Sequence, residues 1–158
     1  MDILDEELIK FWKLLNQNKV EYIMIGGFAV TLHGFSRTTG DLDIWLKDDI
    51  NNRNKLGKAL AQFGYNESSF NDIDFVPGWT DFYIGAGIRL DIITSMAGLE
   101  NISFDEALVQ ASVAEIFDVK IPFLQITQLI KNKKATNRPK DIIDVIELEK
   151  IIKIRQKK

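Results

Sequence analysis

Cysteine is absent from the chain, and histidine occurs once, at His33. Disulfides and thiolate zinc sites are therefore excluded, and one imidazole cannot build a histidine-rich metal centre. No apolar run approaches the ~18–20 residues that a membrane span needs. The acidic start, Met1 to Glu7, lacks the basic-then-apolar order of a signal peptide. Internal repeats and low-complexity linkers are also missing. These absences point to a cytoplasmic protein with no membrane partner.

Apolar residues make up 46% of the 158 positions, enough for a real core, and charged residues make up 27%. The length fits one domain spanning residues 1–158, with a core over about 20–120 and a helical part over about 121–158. The net charge of −3 hides an asymmetry. Residues 1–120 hold 10 Lys/Arg against 19 Asp/Glu, whereas residues 121–158 hold 10 against 4. An acidic body with a basic tail suits a protein that gathers cations at one place and phosphates at another. A solvated basic helix end explains the tail equally simply.

Leu8, Phe11, Trp12 and Leu15 at helical spacing predict a first helix over residues 5–18, with Phe11 and Trp12 in the core. Residues 20–25 are β-branched and aromatic and read as a buried strand, ended by Gly26-Gly27. A short helix over 28–33 stops at Gly34. A polar turn leads into a strand over 41–46, then an amphipathic helix over 50–63 that buries Phe63 and ends before Gly64. Strands are expected at 73–76, 81–84 and 88–94, separated by Pro77-Gly78 and Gly85-Ala86-Gly87. A helix over 104–111, a strand near 114–119 and a helix over 126–135 follow. Pro139 fits the first position of a last helix. The order indicates an α/β or α+β domain, a mixed sheet flanked by helices with further helices at the C-terminal end.

The chemistry concentrates in Ile25-Gly26-Gly27 and Asp41-Leu42-Asp43. Residues i and i+2 of a strand share a face, so Asp41 and Asp43 project together while Leu42 and Ile44 enter the core. Trp45 shares the face of the two aspartates. Two carboxylates this close repel unless a cation lies between them, and oxygen-only ligation suits Mg²⁺ or Mn²⁺. Glycines at a strand-to-helix turn let phosphate oxygens approach free backbone N–H groups. Asp91, flanked by apolar neighbours on a strand, is expensive to bury alone and would complete the site if its strand lay beside the first. Asp72 and Asp74 repeat the spacing without an upstream glycine turn. Arg37 and Thr39 sit just before the carboxylates, where they shape the turn or meet a phosphate. Lys131 and Lys133, with Lys134, Arg138 and Lys140, could contact nucleotide or an RNA acceptor. Asp141 and Asp144 are expected to cap or pair within the last helix, and His33 to serve the core or a helix end.

Ile25 to Ala29, His33 to Asp43 and Lys131 to Asp144 together resemble the DNA polymerase β-like nucleotidyltransferase superfamily. The resemblance is strongest to its small bacterial and archaeal members, the minimal nucleotidyltransferases and abortive-infection-type toxins. It implies that Gly26 and Gly27 hold a nucleoside triphosphate and that Asp41, Asp43 and Asp91 bind the metal. Asp91 would also act as general base. The implied reaction moves a nucleoside monophosphate to an acceptor hydroxyl and releases pyrophosphate. Many members carry serine after the first glycine. Gly27 stands there in this chain, which leaves phosphate binding to backbone N–H groups. The acceptor stays open among a tRNA or other RNA end, a small hydroxyl compound and a protein side chain. Two other readings stand beside this one. The first is a binding module that docks a protein partner, as one half of a toxin–antitoxin pair. The second is a two-metal nuclease.

Overall fold

A computed structural model describes residues 5–76, 82–85 and 87–157. Six strands form one mixed sheet in the order β3-β4-β2-β1-β6-β5. The helices and strands follow in the order α1 (Glu6–Gln17), β1 (Tyr22–Ile25), α2 (Gly26–His33), β2 (Asp41–Leu46), α3 (Ile50–Leu60), β3 (Phe82–Ile84), β4 (Ile88–Ile93), α4 (Phe104–Gln110), β5 (Ser112–Ile116), β6 (Val119–Phe123), α5 (Ile126–Thr136) and α6 (Pro139–Gln156). This is the mixed sheet, flanked by helices and closed by C-terminal helices, that the sequence predicts.

Local signals set the helix ends. Asp5 caps α1 by accepting from the Glu7 N–H at 2.8 Å. Gly34 ends α2 with φ +123°, and Pro139 opens α6. The sheet face carrying Tyr22, Met24, Leu42 and Ile44 packs against α1, where the Trp12 indole N–H donates to Met24 Sδ at 3.3 Å. Phe11 and Trp12 are fully buried, and Phe63 is partly buried against Phe11. Asn52 is buried and fastens α3 to the sheet. It accepts from the Glu21 N–H and donates to the carbonyls of Glu21 and Lys47.

Two expectations need correction. Residues 73–76 form no strand. Arg53 donates to the carbonyls of Phe70 and Ile73 at 3.0 and 2.6 Å, and its guanidinium lies over the Phe75 ring. The Ile73 carbonyl that a ladder would need is thus engaged by a side chain, and the Val76 N–H turns back to the Asp74 carbonyl. Asp72 and Asp74 consequently sit exposed on a loop. The single strand near 114–119 is instead a hairpin, β5–β6, turning at Phe117-Asp118 with φ +47° and +65°. Asp81, Pro77-Gly78, Ala86 and Met1 to Leu4 lie outside the described residues.

Candidate functional site

Strands β2 and β4 are parallel neighbours, and their register sets Asp43 beside Asp91 and Asp41 beside Arg89. On its other side Asp43 pairs with Ile25 of β1. The period of two then brings Asp41, Asp43 and Asp91 to one sheet face, opposite the buried Leu42 and Ile44. Trp45 shares that face but is buried against Phe104, with ring centroids 5.5 Å apart, and does not line the cavity there. The Asp43 carboxyl is pushed up to about 6 by burial and by the negative charges of Asp91 and Asp41, with Lys133 and Lys140 opposing. Among the described residues, no three carboxylate or histidine side chains converge as a ready-made metal cage. The donor set nevertheless fits Mg²⁺ or Mn²⁺. These ions take hard oxygen ligands, often only one or two carboxylates completed by substrate phosphates, and a cation would relieve the repulsion that Asp43 feels.

Gly26 abuts the Asp43 carboxylate and Gly27 the turn before it, both for steric reasons. Gly26 has φ +66°, and a Cβ there would collide with the Asp43 carboxylate. A Cβ on Gly27 would lie 2.8 Å from Thr39 Oγ1 and 3.3 Å from Arg37 Nη2. The first turn of α2 therefore runs directly under the turn that carries Arg37 and Thr39. Thr39 steadies this turn by donating to the Asp41 carbonyl at 3.1 Å.

Helices α5 and α6 close the opposite wall with a buried ionic network. Asp141 and Asp144 have no exposed surface, and Lys133 is 3% exposed. Lys133 Nζ lies 2.9 Å from Asp144 and 3.4 Å from Asp141. Arg37 grips Asp144 with two bonds of 2.7 Å. Thr136, the Arg138 N–H and the Arg138 guanidinium all donate to Asp141. Burial alone would raise the Asp141 carboxyl, but these donors hold it well below the usual range.

These walls enclose a cavity of about 890 Å³ that gathers Gly26, Gly27, Arg37, Thr39, Asp41, Asp43, Asp91 and Lys133. Of the residues predicted from sequence, Lys131 stands apart: it is exposed and does not line the cavity. Sequence reasoning gave Asp141 and Asp144 a local helical role and missed their part in this wall. Their i, i+3 spacing on one face of an otherwise charged helix was the available signal. His33 takes the core role, with Nε2 2.7 Å from the Leu124 carbonyl and Arg155 against its backbone.

No protein-family model matches the chain, and no curated protein matches it. Solved structures do. The lincosamide antibiotic adenylyltransferase LnuA, in its lincomycin-bound form, superimposes with a TM-score of 0.62 at 20% identity, covering 96% of this chain and 99% of that one. The fold is that of a nucleotidyltransferase. ANT(2″)-Ia in complex with adenylyl-2″-tobramycin shares it at a TM-score of 0.58 and 18% identity, over 94% and 92% of the two chains. An antigenic nucleotidyltransferase-like protein from Paracoccidioides brasiliensis does so at 0.56 and 15%, over 90% and 74%. The likeness extends along nearly all of the nucleotidyltransferase fold seen here, including the helices that wall the cavity.

Proposed function

We propose that the protein is a metal-dependent nucleotidyltransferase that moves a nucleoside monophosphate from a nucleoside triphosphate to an acceptor hydroxyl, releasing pyrophosphate. The supporting observation is the alignment of Asp43 with Asp91 across β2 and β4, beside Asp41 and against Gly26. In this reading Asp41, Asp43 and Asp91 hold Mg²⁺ or Mn²⁺, which supplies Lewis acidity at the reacting phosphate. Gly26 and Gly27 let the triphosphate approach the N–H groups of α2's first turn. Arg37, Thr39 and Lys133 border the same space, where the two cations neutralise phosphate charge and the Thr39 hydroxyl offers a hydrogen bond. Asp91 accepts the proton of the attacking hydroxyl.

The acceptor we favour is a small hydroxyl compound. Four of the ten cations in the basic tail that would attract nucleic acid are engaged within the chain: Lys133 and Arg138 with Asp141, Lys134 with Glu149, Lys150 with Glu147. Two structures of similar fold carry lincomycin and an adenylylated tobramycin. The deciding experiment is transfer of label from each α-labelled triphosphate, with Mg²⁺ or Mn²⁺, into fractionated RNA, protein and small molecules. Label is expected in the small-molecule fraction and absent with the Asp41→Asn/Asp43→Asn variant. Equal labelling by that variant would exclude these carboxylates, and label in RNA would exclude the acceptor class. A partner-docking reading draws on Ile142, Ile143 and Ile146, exposed on α6. Co-purification of a stoichiometric partner without any label transfer would favour it.

A further inference from the structure

Asp141 and Asp144 are both fully buried, but they differ in what they do. Asp141 has a local duty. It is the third residue of α6, where it accepts from the Arg138 N–H at 2.9 Å and completes the helix start. Asp144 has no such duty. Its Oδ1 accepts from Arg37 Nε at 2.7 Å. Its Oδ2 accepts from Arg37 Nη2 at 2.7 Å and faces Lys133 Nζ at 2.9 Å. One carboxylate thus holds two cations, one from the α2–β2 turn and one from α5. Without it the two positive charges would face each other in a partly buried space and repel.

Arg37 is held beside the first turn of α2. Arg37 Nη2 lies 3.3 Å from where a Gly27 Cβ would be. Arg37 spends one N–H each from Nε, Nη2 and Nη1, the last on the Thr38 carbonyl at 3.3 Å. A guanidinium has five N–H donors, so two remain for a ligand. Both cations also line the cavity shared with the three carboxylates.

We propose that Asp144 is a positioning residue that holds Arg37 and Lys133 together as a preformed two-cation seat for the β- and γ-phosphates of the bound triphosphate. The proposal rests on the nucleotidyl-transfer reading above. The α-phosphorus must lie near the carboxylates, which leaves the outer phosphates for Arg37 of the α2–β2 turn and Lys133 of α5. A fixed seat needs no rearrangement as the pyrophosphate charge develops.

The test is competition calorimetry in Mg²⁺ buffer, with inorganic tripolyphosphate and orthophosphate as probes that need no knowledge of the base. Asp144→Asn is expected to weaken tripolyphosphate binding about tenfold or more, the scale of one lost charge-assisted contact. The ratio of tripolyphosphate to orthophosphate affinity should fall with it. A merely structural bridge would lower thermal stability and leave that ratio unchanged. Arg37→Lys keeps the charge but loses the two-pronged grip. It should lower the same ratio, and it serves if Asp144→Asn does not fold. An unchanged ratio in Arg37→Lys, or in folded Asp144→Asn, overturns the proposal while leaving the nucleotidyl-transfer reading standing. A wild-type protein that binds neither nucleoside triphosphate nor tripolyphosphate overturns the reading itself.

Discussion

Asp43 carries a tension that the rest of the fold tolerates. Its carboxyl is pushed up to about 6, first by burial and then by Asp91 and Asp41. The folded state therefore holds this proton more tightly than the unfolded chain does. Stability is lost as pH rises from the ordinary aspartate range through about 6. Asp43→Asn removes the charge at nearly constant shape. At pH 7.5 without divalent cations, the variant is expected to melt at a higher temperature than the wild type. The gain should be no more than about 3 kcal/mol, the worth of a two-unit shift. The gap should close toward pH 4.5, and added Mg²⁺ should stabilise the wild type alone. Thermal melts by circular dichroism test this, and a variant less stable at pH 7.5 would refute it. The three carboxylates and two glycines were legible in the sequence because strand periodicity and glycine sterics are local rules. Lys131 and Lys133 were indistinguishable there. Two positions on a helix decide that one is exposed and the other nearly sealed between carboxylates.

At the scale of elements, helices read more clearly than strands. The stop at Gly34 and the start at Pro139 lie where the sequence puts them. The β5–β6 hairpin was hidden because its turn residues are Phe117 and Asp118, not the Asn-Gly type that a two-residue turn with two positive φ angles favours. Phe117 is 66% exposed and contributes little to the core. Replacing the pair by Asn-Gly should therefore stabilise the protein by about 1 kcal/mol, by easing left-handed backbone at both positions. Urea unfolding would measure it, and a loss of stability would show that the Phe117 ring contributes packing. The segment 73–76 misled for the opposite reason. Its composition suits a strand, but Arg53, twenty residues earlier, takes the Ile73 carbonyl. No local pattern encodes that capture.

For the whole molecule, the basic tail keeps its excess of cations, but four of its ten, Lys133, Lys134, Arg138 and Lys150, pair with tail carboxylates, and Arg155 donates to the His33 carbonyl. A chain whose tail were free to bind RNA would lose affinity steeply with salt, with a slope near −0.7 per single-strand phosphate contacted. Filter binding to unstructured RNA is expected to give a slope no steeper than about −2, as from two or three contacts. A slope of about −5 or beyond would return nucleic acid to the list of acceptors. The sheet order places β2 and β4 side by side although α3 and β3 separate them in the chain. That adjacency, which the sequence could only require as a condition, is what unites the carboxylates.

The bridge between Arg37 and Asp144 joins residues 107 positions apart. Contacts of such long range form late, because the loop they close must be ordered first. During synthesis the sheet, with all three aspartates, emerges well before α6 does. Until α6 docks, Arg37 and Lys133 lack the carboxylate that they share. The wall built by α5 and α6 is thus completed after the sheet, and a chain halted before Pro139 would hold Asp41, Asp43 and Asp91 without the carboxylates of α6 opposite them. The order of elements along the chain thus sets the order in which the two walls of the cavity can meet.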